Sequence, residues 1–432
     1  MNRRWTLFLS AIFSLCSLSG AQAFSALGDD FELTSLTPIE ATSIAEPPEK
    51  KVTPQTNSDS QTIPENLNRP IRVGLFVGVK TLFLKYNGEN IQVSPAGNNI
   101  KLTSGNHSME METREFGNDD GSCIAIAADT KGLSQACYPG TVVFRANKGK
   151  LDAINIVDVE DYLRGVVPYE IGRLDSSRIE ALKAQAVAAR TYAYKHYNSR
   201  ESLGFDVYAD TKDQVYKGLG GASALTDQAV KATEGVVMLY DGEFITAYYH
   251  STCGGVTETL ATWNKPSLPY LQSAPDLKPD GTPYCKESSY LKWEREFTDK
   301  EILEMVRQNA SEAKAKFSGF KPSDIKKVKS ITIKDKLSSG RVLTLVVSTD
   351  KGNMEVLTDR TRWLFKKGGS ILPSSLFTIK HSGSSWKISG SGFGHGVGMC
   401  QMGVRARAMA GQSYKDILTH YYQGIVLKTY QR

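Results

Sequence analysis

Glu160-Asp161-Tyr162-Leu163-Arg164-Gly165-Val166-Val167-Pro168-Tyr169-Glu170 is the stretch on which the reading of this chain turns. The apolar run Val166 to Tyr169 leads into one acid, Glu170, and a strong helical pattern follows. A carboxyl group partly withdrawn from water keeps its proton to higher pH, which suits a general acid. Alone the signal is weak, because a lone Glu after a strand is usually a solvated loop residue. Downstream, Ser177 and Glu180 fit a capping box, and Ile179 to about Tyr197 contains no Gly or Pro. Ile179, Leu182, Ala186, Ala189 and Ala193 share one helical face, and their small size predicts close packing against other backbone. Lys183 and Arg190 fall two turns apart, so both are expected on one side, near a sugar or carboxylate ligand.

Working outward, residues 71–150 open with the strand-like Ile71-Arg72-Val73-Gly74-Leu75-Phe76-Val77. They continue as short alternating runs broken by Gly97-Asn98-Asn99 and Pro139-Gly140, a β-rich region. Residues 24–70 are rich in Pro, Glu, Ser and Thr and read as a disordered tether. At the start, Arg3 and Arg4 precede an apolar run from Trp5 to about Leu18, and small residues end in Ala21-Gln22-Ala23. That order predicts a secretory leader over 1–23 and an exported protein. The run is short of the roughly 20 residues a membrane span needs, so no membrane anchor is expected after cleavage. Toward the C-terminus, 151–432 reads as one larger unit. Helices are expected near Thr226–Thr233, 298–315 and Tyr414–Tyr422. Hairpins are expected at Asp241-Gly242 and Ser338-Ser339-Gly340. The class is α+β, with local hairpins instead of regular strand–helix alternation. The net charge of +6 comes without a Lys/Arg tract, and no nucleic-acid partner is expected.

Three further segments carry polar chemistry. Asp210-Thr211-Lys212-Asp213-Gln214-Val215-Tyr216-Lys217-Gly218 offers Gln214 and Tyr216 as ligand contacts, with Asp161, Asp210 and Asp213 as further acids. Tyr249-His250-Ser251-Thr252-Cys253-Gly254-Gly255 places Ser251 beside a His and a Cys three apart. With Cys285, His250 and Cys253 supply three ligands for a structural zinc and leave a fourth position open. A Cys253–Cys285 disulfide is the competing reading in an exported protein, with Cys123–Cys137 as a local disulfide. Loss of Cys16 with the leader leaves five thiols, and Cys400 is then the odd one. Gly390-Ser391-Gly392-Phe393-Gly394-His395-Gly396-Val397-Gly398-Met399-Cys400-Gln401-Met402-Gly403 lacks the spacing of a nucleotide loop. It reads as a loop that brings backbone amides, His395 and Gln401 to a ligand.

Together these segments resemble the SpoIID/LytB family of sporulation protein D and amidase-enhancer proteins. The matching stretches are DYLRGVVPYEI, EALKAQAVAARTYA, DTKDQVYKG, AYYHSTCGG with Trp263, and GFGHGVGMCQMG with SYKDILTHYY, in family order. The resemblance implies a wall-facing lytic transglycosylase that cuts between N-acetylmuramic acid and N-acetylglucosamine and leaves a 1,6-anhydro end. The family's catalytic glutamate falls on Glu170 and its basic helix residues on Lys183 and Arg190; no cofactor is required. Peptidoglycan glycan strands are the implied partner, with an amidase as a second. Cys400 stands where the family loop usually has Ser. Some members hold zinc near the HST segment through varied ligands. The competing functions are a non-catalytic enhancer of an N-acetylmuramoyl-L-alanine amidase, and an amidase or peptidase using His250, His395 and zinc.

Overall fold

The computed structural model describes residues 61, 62, 64, 67–118 and 121–431. The expected leader at 1–23 and most of the expected tether lie outside these residues. The fold is α+β, built around two hydrophobic cores.

The first core starts in two five-stranded sheets. One has the order Val207–Tyr208, Ile71–Val79, Lys150–Val157, Thr141–Asn147, Thr113–Phe116; the other is a meander from His107–Met111 through Asn99–Ser104, Glu89–Ala96 and Leu82–Tyr86 to Ala125–Ala127. Leu82, Leu84, Val93, Ile100 and Leu102 point inward, as period-two alternation requires of a half-buried strand. Cys123 and Cys137 are joined in a disulfide beside this sheet. Lys150–Val157 is buried along nearly its whole length, because it lies between two neighbours and packs against the strand Glu89–Ala96 of the other sheet. It feeds directly into the first helix, so the β-rich region and the helices share one core.

That helix, α1 (Val159–Glu170), carries the apolar run Val166 to Tyr169 into Glu170, so the acid ends a helix and does not follow a strand. Asp158 caps it by accepting from the Glu160 amide. Its end is set by Gly172 at φ +79° after the Ile171 cap. The second helix, α2 (Ile179–Lys195), does not use the expected capping box. Ser177 sits in a short 3-10 turn capped by Asp175, and the Glu180 carboxylate turns to Lys183 and the Tyr414 amide. Ala181, Ala184, Ala186, Ala188, Ala189 and Ala193 are all buried. A helix apolar on every side belongs inside a protein. Around α2 pack α1, α3 (Ala224–Ala232) and the strand Val236–Tyr240, with two C-terminal helices, α6 (Gln401–Met409) and α7 (Tyr414–Tyr421), on its remaining side.

The second core spans Trp293 to Ile388, within the stretch expected as one unit over 151–432. It combines the sheet Trp293–Thr298, Ser385–Gly390, Phe377–Ser382 with the sheet Val328–Lys336, Val342–Thr349, Asn353–Leu357 and the helices α4 (Asp299–Asn309) and α5 (Thr361–Leu364). The chain leaves the first core after Cys285 and returns at Val397. The return is fixed by parallel pairing of Tyr249–His250 with Met399–Cys400. Among the described residues no helix is long and apolar enough to cross a membrane.

Candidate active site

Glu170 is the last residue of α1, and only 7% of its surface is reachable. Its Oε1 accepts the Val215 amide at 2.6 Å, and its Oε2 faces Gln401 Nε2 at 3.4 Å. The Tyr249 hydroxyl also reaches it. Burial dominates these bonds and pushes the carboxyl up to about 7. Its place at a helix C-terminus also disfavours a negative charge. The Val215 amide donates to Oε1 and the Gln401 amide, at longer range, to Oε2, so both carboxyl oxygens act as acceptors here.

A relay of polar groups holds this arrangement. Gln214 Nε2 donates to the Tyr249 hydroxyl at 3.0 Å, while Tyr162 donates to Gln214 Oε1 at 3.1 Å. Gln401 Nε2 also faces Gln185 Oε1 at 3.4 Å. The other acids stand apart. Asp161 pairs with Arg164, Asp210 caps the Lys212 amide, and Asp213 is taken by Tyr192, Arg200 and the Tyr208 amide.

Of the residues expected at a ligand, the structure brings Glu170, Gln214 and Gln401 together. Tyr216 is a core residue instead: its hydroxyl donates to Asn155, and its ring covers Gly165, where a Cβ would meet it at 2.5 Å. Arg190 is fully buried and does not face the pocket; Glu160 and the Val230 and Val236 carbonyls take its guanidinium. Lys183 is half-buried and reaches Glu180 at 2.6 Å. Ser251 is half-buried, its hydroxyl beside that of Thr252.

The two histidines are structural in their bonding. His395 Nδ1 accepts the Val397 amide, so its proton lies on Nε2 and is donated to the Tyr249 carbonyl at 3.1 Å. Burial holds His395 well below its usual range, so the ring is neutral and pins the residue whose hydroxyl reaches Glu170. His250 donates from Nδ1 to the Val397 carbonyl at 3.1 Å, and its buried Nε2 has no partner. Burial lowers its pKa to about 3. The expected exposure of His395 to a ligand gives way to this inward orientation, because the glycines bring the loop against the Tyr249–His250 strand. Gly396 and Gly398 make that approach: a Cβ would lie 2.4 Å from the Arg341 guanidinium at the first and 2.1 Å from the Tyr248 carbonyl at the second.

Two contributors had no signal in the sequence. Tyr249 and Gln185 sit inside apolar runs whose periodicity describes packing, yet both are within reach of the Glu170 group. Arg341, from the second core, is fully buried and donates to the Cys253 and Val256 carbonyls. Ser339 beside it donates to Glu258.

The sulfur group also differs from expectation. Cys253, Cys285 and Cys400 are free and buried, with their sulfurs within 4.8 Å of one another. His250 is not among them; Cys400 takes its place. Cys253 and Cys285 stand 3.7 Å apart and are not bonded.

The geometry is that of a single buried acid set between a helix end and a glycine loop. The SpoIID family model, Stage II sporulation protein, matches residues 147–240, which hold Glu170 and Gln214. A domain of unknown function, DUF8618, matches residues 281–398, which enclose the second core. A Brachyspira hyodysenteriae protein described as uncharacterized is 32% identical over 68% of this chain and 73% of its own length. The Amidase enhancer of Bacillus subtilis is 32% identical over 62% of this chain, but the match spans only 40% of that protein. Stage II sporulation protein D of the same organism is 29% identical over 63% of this chain and 75% of its own. The chain belongs to the SpoIID family.

Proposed function

We propose that this protein is an exported lytic transglycosylase acting on peptidoglycan glycan strands, with Glu170 as its general acid and base. The names of its relatives support a role at the cell wall. The observation that carries the reaction is the state of Glu170: a buried carboxyl pushed up to about 7, with no second acid bonded to it among the described residues. Protonated Glu170 donates to the glycosidic oxygen as the C1–O bond breaks and an oxocarbenium-like centre develops. The C6 hydroxyl of the same muramic acid attacks C1 and returns its proton to the carboxylate. No water is consumed and Glu170 ends protonated, so one carboxyl group serves where most glycosidases need two. Val215, Tyr249 and Gln401 orient the carboxyl group through both steps.

Mass spectrometry of glycan strands, with and without stem peptides, tests this reading. Anhydro-ended products are expected from the wild type and not from Glu170→Gln. The similarity to the Amidase enhancer favours a second reading, a wall-binding protein that stimulates an amidase. It predicts strand binding by both proteins and products from neither.

Gln401 supplies a graded prediction. Its amide favours the charged form of Glu170, so Gln401→Leu raises the carboxyl pKa further. The alkaline limb of the cleavage rate moves up by roughly half a pH unit, consistent with one long bond to a charged group. A pH–rate profile of the two proteins reads this shift.

A further inference from the structure

Among the described residues, the three cysteines outside the disulfide come from three separated segments. Cys253 follows the His250 strand, Cys285 ends the passage out of the first core, and Cys400 closes the glycine loop where α6 begins. All three are fully shielded from solvent, and their sulfurs lie within 4.8 Å of one another.

Several features favour thiolates gathered about a cation over a disulfide with a spare thiol. The 3.7 Å separation of Cys253 and Cys285 sulfurs matches two ligands of one tetrahedral ion, since zinc–sulfur bonds of about 2.3 Å place their ends roughly 3.8 Å apart. Backbone amides point at the sulfurs: Cys253 N–H at Cys400 Sγ (3.2 Å), Gly255 N–H at Cys253 Sγ (3.3 Å) and Gly403 N–H at Cys400 Sγ (3.4 Å). Amide donors around sulfur stabilise negative charge there and orient metal-bound thiolates. The Asp276 carboxylate stands 3.2 Å from Cys253 Sγ, a contact that needs a proton or a cation between the two groups. This carboxylate is itself held by Arg407 and Tyr421. The fully buried Arg341, bonded to the Cys253 carbonyl, and Arg407 supply positive charge around the cluster. Soft thiolates select zinc-class ions over calcium or magnesium.

We infer that Cys253, Cys285 and Cys400 form a three-thiolate site for one zinc-class ion, which fastens the second core's entry segment to the Tyr249–His250 strand and to the glycine loop beside Glu170. The set leaves out His250, and it requires the cysteine that stands in the glycine loop. Its consequence for the pocket is local. Cys400 precedes Gln401, which faces Glu170, and Cys400 is paired in register with His250, next to Tyr249. An ion bound here holds the residues on either side of the carboxyl group in place.

The test uses the full exported chain, purified with and without reductant. Elemental analysis of the protein is expected to find one zinc per chain. Cobalt substitution is expected to give the intense visible bands of a tetrahedral site and a near-ultraviolet sulfur-to-cobalt charge-transfer band. Cys400→Ser and Cys285→Ser lose stoichiometric binding and weaken the sulfur band, whereas His250→Gln keeps both. Should a serine variant fail to fold, the wild-type stoichiometry and cobalt spectrum still decide. A Cys253–Cys285 disulfide in non-reduced peptide maps, or reduced protein that takes up neither ion, overturns the inference. So does loss of binding in folded His250→Gln. These readouts are independent of glycan cleavage, so the site and the proposed activity stand or fall separately.

Discussion

Glu170→Gln is expected to lower glycan cleavage by about a thousandfold or more while leaving the fold intact, because it removes the transferable proton and little else. Glutamine has the shape of the protonated acid, and the Val215 amide still meets a carbonyl oxygen at the Oε1 position. The wild-type rate falls as pH rises through about 7, where the carboxyl group loses its proton. Stability changes in the same window. The folded pKa is raised above the ordinary 4.5, so the unfolded chain sheds this proton first as pH rises. The contribution of the buried neutral acid is therefore complete below about 4.5 and is lost as pH rises through about 7. The glutamine variant lacks this loss. At pH above 7 it should be the more stable protein, by on the order of 3 kcal/mol. Chemical unfolding at acid and alkaline pH, beside the cleavage assay, measures both effects. An unchanged cleavage rate would overturn the proposed chemistry. A variant stabilised at alkaline pH would still establish that Glu170 is buried and that its carboxyl titrates above the ordinary range.

How much of this was legible in the sequence depended on the range of the interactions. The α+β class, α2 and the hairpin strands Val328–Lys336 and Val342–Thr349 follow from local periodicity and turn residues. Glu170 and the glycine loop were legible as motifs. Neighbourhoods were not. A fully buried arginine and a ligand-binding arginine look alike in a helical pattern, so Arg190 and Lys183 were placed together although only Lys183 keeps contact with solvent. The second core was hidden because its strands and helix have the same local patterns as the first. Only long-range packing, in which Trp293–Thr298 pairs with Ser385–Gly390, separates them. His250 with Cys253 had the spacing of a metal pair, but a two-residue strand turns the histidine to the Val397 carbonyl, and Cys400 arrives by parallel pairing across the second core.

Arg190→Ala is expected to cost about 3–5 kcal/mol of stability, a loss typical of removing one partner from a buried ion pair. The guanidinium makes a two-pronged contact with Glu160, at 2.8 and 2.6 Å, and donates to the carbonyls of Val230 and Val236. It thereby ties α1, α2, the end of α3 and the Val236–Tyr240 strand to one point. Alanine leaves the Glu160 carboxylate, 17% exposed, without its counter-charge and leaves a void the size of the guanidinium. Arg190→Lys keeps the charge but loses the planar fork, so its cost falls between wild type and alanine. Adding Glu160→Gln to the alanine variant should cost less than the two single changes summed, since the partner charge has already been stranded. Lys183→Ala, which breaks only a partly exposed pair within one helix, should cost less than about 1 kcal/mol. Urea unfolding of these variants separates two roles for Arg190. If Arg190 contacted substrate, its removal would weaken strand binding without moving the unfolding midpoint. As a buried tie, its removal moves the midpoint first, and cleavage falls because α1, the helix that ends in Glu170, is no longer held.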